Sequence, residues 1–318
     1  MIIKPLTLPL RLQMEEILLR RLPIEHKKRS QIEQDCRKSR VGFRGEQNLA
    51  YYLGFLPEKD YFIFHDLRLS FEKKTFQMDT LVLHPQFSII IESKNIYGQL
   101  FFDHHSQQLI RTYQGEEEGF PNPLTQAKRQ KMLLKEWLKL HHIKPYPVEF
   151  LVSVSMPGTI LRTNSDNHLI FKNVLHAEHI PEKILELQEE QPQKKFTPSY
   201  LQKLSALLLE SHTPFKPDPF QKYEIDTTDF INGVQCPDCL RFAMDRIHGR
   251  WICPHCQHVS KTAHQQAIHD YLMIHSTINN QQCQQFLGLS SPSSVKRLLL
   301  GMDLPFKGEG RGRVYTQK

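Results

Sequence analysis

The sequence predicts an α/β (α+β) protein in which a mixed sheet is flanked by helices, followed by a separate C-terminal part. Three observations carry this prediction. Apolar segments of strand length are interleaved with segments that repeat their apolar residues at helical spacing. Two of the strand segments are joined by a short turn, which predicts a hairpin. Beyond a proline-rich stretch, four cysteines and a helix-rich tail replace this pattern.

The predicted hairpin ends in charged and polar side chains. Its turn lies at residues 84–86, and an even-numbered loop there would place Asp79 opposite Glu92. Gln77 shares one strand face with Asp79, and Lys94 shares one with Glu92. We therefore expect two carboxylates, an amide and an ammonium to converge. Such a set suits the binding of a divalent cation and the polarisation of a phosphodiester.

A second interpretation is that these charges only end the two strands in water. Apolar runs at residues 81–83 and 89–91 precede the charges on both strands, which predicts that the strands are buried. Buried strands seldom end in three charged groups at facing positions. The functional interpretation is therefore favoured.

Composition sets limits on the class of protein. The 318 residues are enough for two to three domains, 39% of them are hydrophobic, and the formal net charge is +7. The basic balance is compatible with a polyanionic partner. No apolar run approaches the ~20 residues of a membrane span. The apolar segment at the start of the sequence, residues 1–10, is short, is interrupted by prolines and is followed by charged residues. We therefore expect no signal peptide, no membrane partner and a cytoplasmic location.

The first 56 residues are predicted to be largely helical. Residues 11–40 form the most basic stretch, which we interpret as a solvated helical face; contact with a DNA backbone is the alternative. Residues 41–56 repeat leucine and tyrosine at helical spacing and place Glu46 in the first turn of an amphipathic helix. Glu46 would either favour the helix dipole or face the same cavity as Asp79 and Glu92.

The remaining elements of the core follow in order. A helix is predicted from Asn122 to about His141, with Gln126 in its first turn, where a glutamine is either a surface residue or orients substrate or water beside a metal. Further helices are expected around 181–190 and 198–211. Strands are predicted at 61–69, 96–102, 108–113 and 148–155, with a weaker one at 169–171.

Four cysteines then form two C-x-x-C pairs separated by thirteen residues. Thiolates in this spacing can enclose one tetrahedral Zn²⁺ and leave no position open, which predicts a structural zinc ribbon. A redox role is disfavoured because no thioredoxin-like βαβ unit surrounds either pair. The ligands would be Cys236, Cys239, Cys253 and Cys256.

The tail has helix–turn–helix spacing and ends in a basic segment that resembles the tip of a hairpin. In a winged-helix-like domain, Lys296 and Arg297 would lie near a nucleic-acid groove, and Arg311 and Arg313 would contact phosphates from the wing. Small helical units of this kind also bind proteins, so a protein partner is the alternative.

These patterns predict five segments. They are a basic helical segment at 1–40, the α/β domain at 41–212, a linker at 213–232, the zinc ribbon at 233–260 and the winged-helix-like domain at 261–318.

Four motifs in order resemble the nuclease-related domain (NERD) family, placed in the PD-(D/E)XK nuclease-like superfamily. They are G-F-R-G-E at 42–46, Q-M-D at 77–79, E-S-K-N at 92–95 followed by Gly98, and N-P-L-T-Q at 122–126. The resemblance covers roughly residues 40–150. Thr80 departs from it, because a histidine is expected after the motif aspartate. The zinc ribbon and helical tail also resemble those of bacillus-type members.

The resemblance implies a nuclease-like fold with the hairpin at its centre. Asp79 and Glu92 would ligate one or two Mg²⁺ or Mn²⁺ ions, helped by the backbone carbonyl of Ser93. Glu46 would be a third carboxylate, and Lys94 would hold the attacking water or stabilise the phosphoryl group. Supporting roles would fall to two glutamines, Gln77 and Gln126.

Three functions remain open at this level. The favoured one is a metal-dependent nuclease that hydrolyses DNA, or alternatively RNA, and is targeted by its tail. The second is a DNA-binding or recruitment protein with a nuclease fold that cuts nucleic acid weakly or not at all. The third is a protein-interaction adaptor.

Overall fold

The chain divides into two units that alternate along the sequence. The first comprises Met1–Pro9 and Arg37–Lys216, and the second comprises Leu10–Cys36 and Pro217–Lys318. The computed structural model of the chain describes residues 1–164, 169–191, 193 and 196–317, with the side chains of Leu169 and Arg311 excepted.

Helices and strands occur in both units. The helices are α1 (Leu10–Arg21), α2 (Arg29–Leu53), α3 (Pro123–Leu140), α4 (Ile180–Glu190), α5 (Pro198–Glu210), α6 (Pro219–Tyr223), α7 (Ala263–His275), α8 (Asn280–Leu287) and α9 (Pro292–Leu300). The strands are β1 (Ile2–Lys4), β2 (Phe62–Phe71), β3 (Lys74–Leu83), β4 (Ser88–Lys94), β5 (Gln99–Asp103), β6 (Gln108–Tyr113), β7 (Glu116–Phe120), β8 (Val148–Val154), β9 (Ile160–Thr163), β10 (Val174–His176), β11 (Asp245–Ile247), β12 (Arg250–Ile252), β13 (Val259–Ser260), β14 (Thr277–Asn279), β15 (Phe306–Lys307) and β16 (Val314–Thr316). Within the described ranges, none of the helices combines the length and the apolar character needed to span a bilayer.

A mixed sheet forms the centre of the first unit, with the strand order β1-β2-β3-β4-β8-β10. Strands β2, β3 and β4 are antiparallel neighbours, whereas β1 joins β2, β8 joins β4 and β10 joins β8 in parallel. Parallel neighbours need a crossover connection, and α3 supplies the one between β4 and β8. The predicted α/β class, with a mixed sheet flanked by helices, is confirmed.

Apolar residues cover both faces of this sheet because β3 and β4 are apolar throughout their central parts. Successive strand side chains point to opposite faces. Leu81 and Ile90 therefore pack on one face against Trp137 of α3 and leucines of α5. Val82 and Ile89 pack on the other face against residues of α2 and α4. Burial on both faces fixes the register of the hairpin, because a shift of one residue would exchange the two cores.

A second, four-stranded sheet lies in the same unit, with the order β7-β6-β5-β9. Its strands β5 and β6 were predicted from the sequence, whereas β7 was not, because its residues read E-E-E-G-F and lack the apolar alternation of a strand. Leu100, Phe102 and Leu109 carry its apolar side and join Val152 of β8 in one cluster. In chain order, β5, β6 and β7 follow the charged end of β4 and precede α3, whereas β9 follows β8.

The second unit contains a three-stranded antiparallel sheet, β11-β12-β13, followed by three helices and a sheet with the order β14-β16-β15. In chain order the tail reads α7, β14, α8, α9, β15, β16. The predicted winged-helix-like domain stays a prediction, although helices and short strands do alternate in this part of the chain. One apolar cluster contains Trp251 of the ribbon and Ile268, Phe286 and Leu299 of the tail.

The N-terminal helix α1 belongs to the second unit. Leu18 and Leu22 pack with Tyr223 and Phe230 of the segment that precedes the cysteines. The interpretation of residues 11–40 as a solvated face is therefore wrong for part of the stretch. A basic side chain there, Arg21, is almost completely buried. The predicted boundaries at 40, 212, 232 and 260 stay predictions, although residues 10–36 group with the C-terminal part of the chain.

Two predictions about local structure are wrong. The segment predicted as a weak strand at 169–171 is a 3₁₀ helix, Leu169–Lys172, and the strand that extends the sheet begins after it as β10. Glu46 does not lie in the first turn of a helix, because α2 begins at Arg29 and runs through the glycine pair at Gly42 and Gly45 without a break. A favourable contact with the helix dipole therefore cannot explain Glu46.

A buried ion pair joins the two sequence segments of the second unit. Arg21 donates through Nε to Asp270 of α7 at 2.9 Å, and its Nη1 donates to the carbonyl of Gly233 at 2.9 Å. The guanidinium also lies 4.8 Å from the ring centroids of Phe242 and Phe286. Arg21 thus contacts residues before, within and after the cysteine region.

We predict that Asp270→Asn destabilises the second unit by about 3 kcal/mol, because it leaves the guanidinium of Arg21 buried without its counter-charge. Glu224→Gln serves as the control, since it breaks an exposed ion pair with Lys28, and should leave the unfolding midpoint unchanged. Urea unfolding in a Trp137→Phe background, followed by Trp251 fluorescence, measures the effect. Equal midpoints for Asp270→Asn and wild type would show that the pair is not needed.

Candidate functional site

The hairpin of β3 and β4 has the predicted register. Leu83 pairs with Ser88 and Thr80 pairs with Ile91, so residues 84–87 form a four-residue loop. The amide of His84 donates to the carbonyl of Phe87 at 2.8 Å and closes this loop. One further step in the same register places Asp79 opposite Glu92.

Asp79 and Glu92 meet at the end of the hairpin. Asp79 Oδ2 accepts a hydrogen bond from the backbone amide of Ser93 at 2.9 Å. The side chain of Glu92 is only 2% exposed, and its two oxygens accept from Lys94 Nζ at 2.7 Å and from Gln130 Nε2 at 2.9 Å. The predicted role of the Ser93 carbonyl as a metal ligand stays a prediction.

Lys94 is held between the hairpin and α3. Its Nζ also donates to Gln126 Oε1 at 3.3 Å. Gln126 lies in the first turn of α3, which begins after Asn122, whose side chain accepts from the amide of Leu124 at 2.9 Å. The N-cap therefore fixes where the first turn starts and directs Gln126 to Lys94.

Gln130 is a site residue that the sequence analysis missed. It lies four residues after Gln126, so both glutamines project from one face of α3. Besides Glu92, its Nε2 donates to the carbonyl of Gln77 at 2.8 Å, and its side chain is buried. The i,i+4 pair of glutamines at the start of a helix after the hairpin was the signal that could have revealed it.

A close approach of α2 brings Glu46 to the same region. A side chain at Gly45 would place its Cβ 2.7 Å from Cβ of Asn95, too close for any residue but glycine. Ser155 Oγ donates to the carbonyl of Gly45 at 3.0 Å, and Asn95 Nδ2 donates to the carbonyl of Val41 at 2.7 Å. These contacts hold α2 against the segments that follow β4 and β8.

Asp66 and Lys4 add a second pair of charges that the sequence analysis did not predict. Asp66 lies on β2 with a φ of 51°, in the left-handed region. Lys4 of β1 lies 3.9 Å from Asp66 Oδ2 and donates to the carbonyl of His65 at 2.9 Å. Gln77 Nε2 donates to Asp66 Oδ1 at 2.6 Å, so its side chain contacts Asp66 and not the Asp79–Glu92 pair.

Electrostatics distinguish these carboxylates from ordinary surface acids. Burial raises the pKa of Glu46 to about 7, and the negative charges of Asp66 and Glu92 contribute to this shift. The positive charge of Lys4 acts in the opposite direction. Burial, together with the negative charges of Glu92 and Glu46, raises the pKa of Asp79 well above its usual range. The hydrogen bond from the Ser93 amide and the positive charge of Lys94 offset this shift only in part. The carboxylates therefore repel one another in a poorly solvated position.

This donor set fits a hard divalent cation in its chemistry, since such ions prefer carboxylate oxygens and would relieve the repulsion. The fit in distance is incomplete. Among the described residues, the cysteines are the one group of His, Cys, Asp or Glu that brings three or more ligand atoms within 4.8 Å of one another. The carboxylates would have to turn inward to share a metal.

The position after the motif aspartate is occupied by Thr80. Its Oγ1 lies 3.1 Å from Nδ1 of His65, its cross-strand partner, and both side chains are buried. Burial and the charge of Lys4 lower the pKa of His65 to about 4, so this imidazole is neutral at physiological pH. The histidine at this level of the sheet therefore comes from β2 and not from β3.

The four cysteines converge as predicted. Sγ of Cys236 lies 3.6 Å from that of Cys256, and Sγ of Cys239 lies 3.6 Å from that of Cys253. A tetrahedron with metal–sulfur bonds of about 2.3 Å has edges of about 3.8 Å, so these distances fit a zinc ion and not a disulfide. The cluster thus has the geometry of a structural metal site.

Two equivalent turns position the cysteines. In each C-x-x-C pair the residue after the second cysteine has a left-handed φ of 60°, and its amide donates to the carbonyl of the first cysteine. These residues are Leu240 and Gln257. Backbone amides, that of Cys256 first and then that of His255, lower the pKa of Cys253 to about 7, whereas the pKa of Cys256 is raised to about 12, mainly by burial and hydrogen bonds with the other three cysteines.

The described basic residues that were predicted to bind nucleic acid line two different cavities, and their predicted role stays a prediction. Lys296 and Arg313 line a cavity of about 650 Å³ between α8, α9 and the end of the tail. Arg297, one residue further along α9, lines a different cavity. The side chain of Arg311 lies outside the described residues. Successive helical residues differ by about 100° in direction, which explains the separation.

The charged end of the hairpin lies in a region that is similar to a known family. Residues 41–155 match the family model of the nuclease-related domain (NERD). The matched region begins just before Gly45 and Glu46, contains the whole Asp79–Lys94 hairpin and Gln126, and ends at Ser155, which bonds to Gly45. No curated protein matches the chain, and no solved structure matches it either.

We predict that Cys239→Ser loses the bound metal, about one zinc ion per chain, because three thiolates cannot complete the tetrahedron. His255→Ala is the control: this histidine lies in the other C-x-x-C turn, contacts Arg241 and is not one of the four converging ligands. Atomic absorption of the purified proteins measures zinc content. Full zinc content in Cys239→Ser would contradict the assignment.

We also predict that Glu46→Gln stabilises the first unit in the absence of added Mg²⁺ or Mn²⁺. The folded pKa of Glu46 is about 7 and the unfolded value 4.5. The folded state therefore holds more protons between these values, and wild-type stability falls as the pH rises through them. The free energy of unfolding of the variant should exceed that of the wild type by on the order of 1–3 kcal/mol at about pH 8, and by less at about pH 5.

Urea unfolding in a Trp251→Phe background, followed by Trp137 fluorescence, measures this gain. Glu136→Gln, an exposed glutamate on α3, is the matched control and should show no pH-dependent gain. A stability difference that is the same at both pH values would show that Glu46 is not held in a repulsive environment.

Proposed function

We propose that the chain is a metal-dependent nuclease that hydrolyses phosphodiester bonds of DNA, with the tail of the second unit contributing to nucleic-acid binding. The observation that carries the proposal is the convergence of Asp79, Glu92 and Lys94 at the end of the central hairpin, inside the region that matches the nuclease-related domain. A buried carboxylate and a half-buried one, with an adjoining ammonium, are groups suited to phosphodiester hydrolysis.

Asp79 and Glu92 would hold Mg²⁺ or Mn²⁺, with Glu46 as a third carboxylate. Such a metal lowers the pKa of bound water and neutralises charge on the phosphoryl oxygens. Lys94 places its ammonium beside Glu92 and Gln126, where it can hold the attacking water or a phosphoryl oxygen. Gln130 orients Glu92 and so acts as a positioning residue.

A cavity beside these groups supports a polyanionic substrate. It has a volume of about 470 Å³ and is lined by Gln126 and Gln130 of the site together with Lys74 and Arg129. Lys74 opens β3 and Arg129 lies on α3 between the two glutamines, so both are fixed by the elements that build the site. Their charges would attract the phosphates that flank the cleaved bond.

The DNA assignment rests on the basic residues of both units and on the net charge of +7. We therefore predict Mg²⁺- or Mn²⁺-dependent cleavage in a panel of linear duplex, circular duplex and single-stranded DNA, with RNA as a further substrate. Asp79→Asn and Lys94→Ala should each lower the cleavage rate by at least about 100-fold, as expected for groups that act on the reacting phosphate.

Lys139→Ala and Glu136→Gln, which alter exposed residues of α3 outside the site, should retain the wild-type rate. Zinc content and unfolding midpoint, measured for every variant, show whether each protein is folded. Activity that survives in folded Asp79→Asn or Lys94→Ala would refute the assigned roles. Preference for RNA over every form of DNA would replace the proposed substrate.

A second candidate is a nucleic-acid-binding or recruitment protein whose nuclease fold does not cut. One observation favours it: both oxygens of Glu92 are already engaged, by Lys94 and Gln130. Salt-sensitive DNA binding without turnover in any divalent metal would support this candidate over the nuclease.

A further inference from the structure

A cavity in the second unit lies between the zinc ribbon and the start of α9. Its volume is about 540 Å³, and it opens between the turn that joins β11 to β12 and the first residues of the helix. Arg246 and His248 line it from the ribbon, and Ser291, Ser294 and Arg297 line it from the helix.

The two arginines give this cavity an unbalanced positive charge. Arg246 Nη1 is buried and has no hydrogen-bond acceptor among the described residues. Its guanidinium lies over the ring of Trp251, 5.3 Å from the centroid, which favours this position of the side chain. Burial, followed by the charge of Arg297, lowers the pKa of Arg246. A buried hydrogen-bond donor without an acceptor costs free energy, and so does the repulsion between two neighbouring cations. A bound anion would offset both costs.

The other groups around the cavity fit an anion as well. All of the lining residues are described, and they include no aspartate or glutamate. Ser291 caps α9, and the positive end of the helix dipole lies at this point. The guanidinium fork and serine hydroxyls together supply donors of the kind that bind phosphate oxygens.

We propose that this cavity binds a backbone phosphate of nucleic acid and that Arg246 and Arg297 are its two charged ligands. The choice of nucleic acid as the ligand rests on the function proposed above. The site is distinct from the cavity that contains Lys296 and Arg313. A nucleic acid that follows α9 would therefore meet positive charge on both sides of the helix, with the zinc ribbon supplying one of them.

Binding of a fluorescein-labelled oligonucleotide of about 20 nucleotides, single-stranded or duplex, tests the proposal by fluorescence anisotropy. Full-length protein with Asp79→Asn keeps the DNA intact during the measurement. In this background Arg246→Gln and Arg297→Gln should each weaken binding about tenfold and lower the slope of log affinity against log salt by about one. Arg250→Gln, an exposed arginine of the same ribbon that does not line the cavity, is the matched control and should leave both values unchanged.

The outcomes separate this site from the proposed function. If the parent binds no oligonucleotide at low salt, both the nucleic-acid function and the phosphate site are refuted. If the parent binds and both arginine variants match Arg250→Gln, the phosphate site is refuted and the nuclease proposal stands. Arg297 is exposed, so its variant decides the matter even if Arg246→Gln loses zinc. A poly-glutamate peptide that binds through the same two arginines more tightly than DNA would assign the cavity to an acidic protein and overturn the proposal.

Discussion

The candidate site depends on mutual repulsion among carboxylates that the fold holds together at one end of the hairpin. Burial and neighbouring negative charge raise the pKa of Glu46 and that of Asp79. The first unit offsets this cost with fixed donors: the amide of Ser93, the ammonium of Lys94 and the amide group of Gln130. A protein that only needed these strands for stability would gain from apolar residues here, so the cost indicates a function.

The charges meet because three elements are fixed by different means. Burial of both sheet faces sets the register of β3 and β4, and thereby places Asp79 against Glu92. The missing side chain of Gly45 lets α2 approach the ends of β4 and β8, which brings Glu46 within electrostatic range. The cap at Asn122 starts α3 where its first two turns face the hairpin. Positions of backbone, more than individual side-chain contacts, therefore create the site.

Features that depend on local sequence patterns were predicted from the sequence. Contacts between residues far apart in the sequence were not. The hairpin register followed from loop length and apolar runs, and the cysteine cluster followed from spacing. Lys4 could not be predicted, because β1 joins β2 in parallel from the far end of the first unit and three residues carry no periodic signal. Gln77 was assigned to the site by strand alternation alone, but its side-chain amide donates to Asp66, whose left-handed φ no alternation pattern predicts. Arg297 was grouped with Lys296 by sequence proximity, although a helix directs them apart.

The two clusters of potential metal ligands differ in how far the protein alone assembles them. The four sulfurs already lie at the spacing of a zinc tetrahedron, and Cys236 and Cys253 belong to the apolar core of the second unit. Loss of zinc would therefore expose like charges inside that core and destabilise it. Among the described residues, the carboxylates do not bring three ligand atoms as close together, and Lys94 and Gln130 satisfy Glu92 without an ion. The hydrogen bonds of Glu92 thus need no divalent metal, as the proposed exchangeable ion would require, whereas the ribbon would depend on a zinc ion bound by its four cysteines.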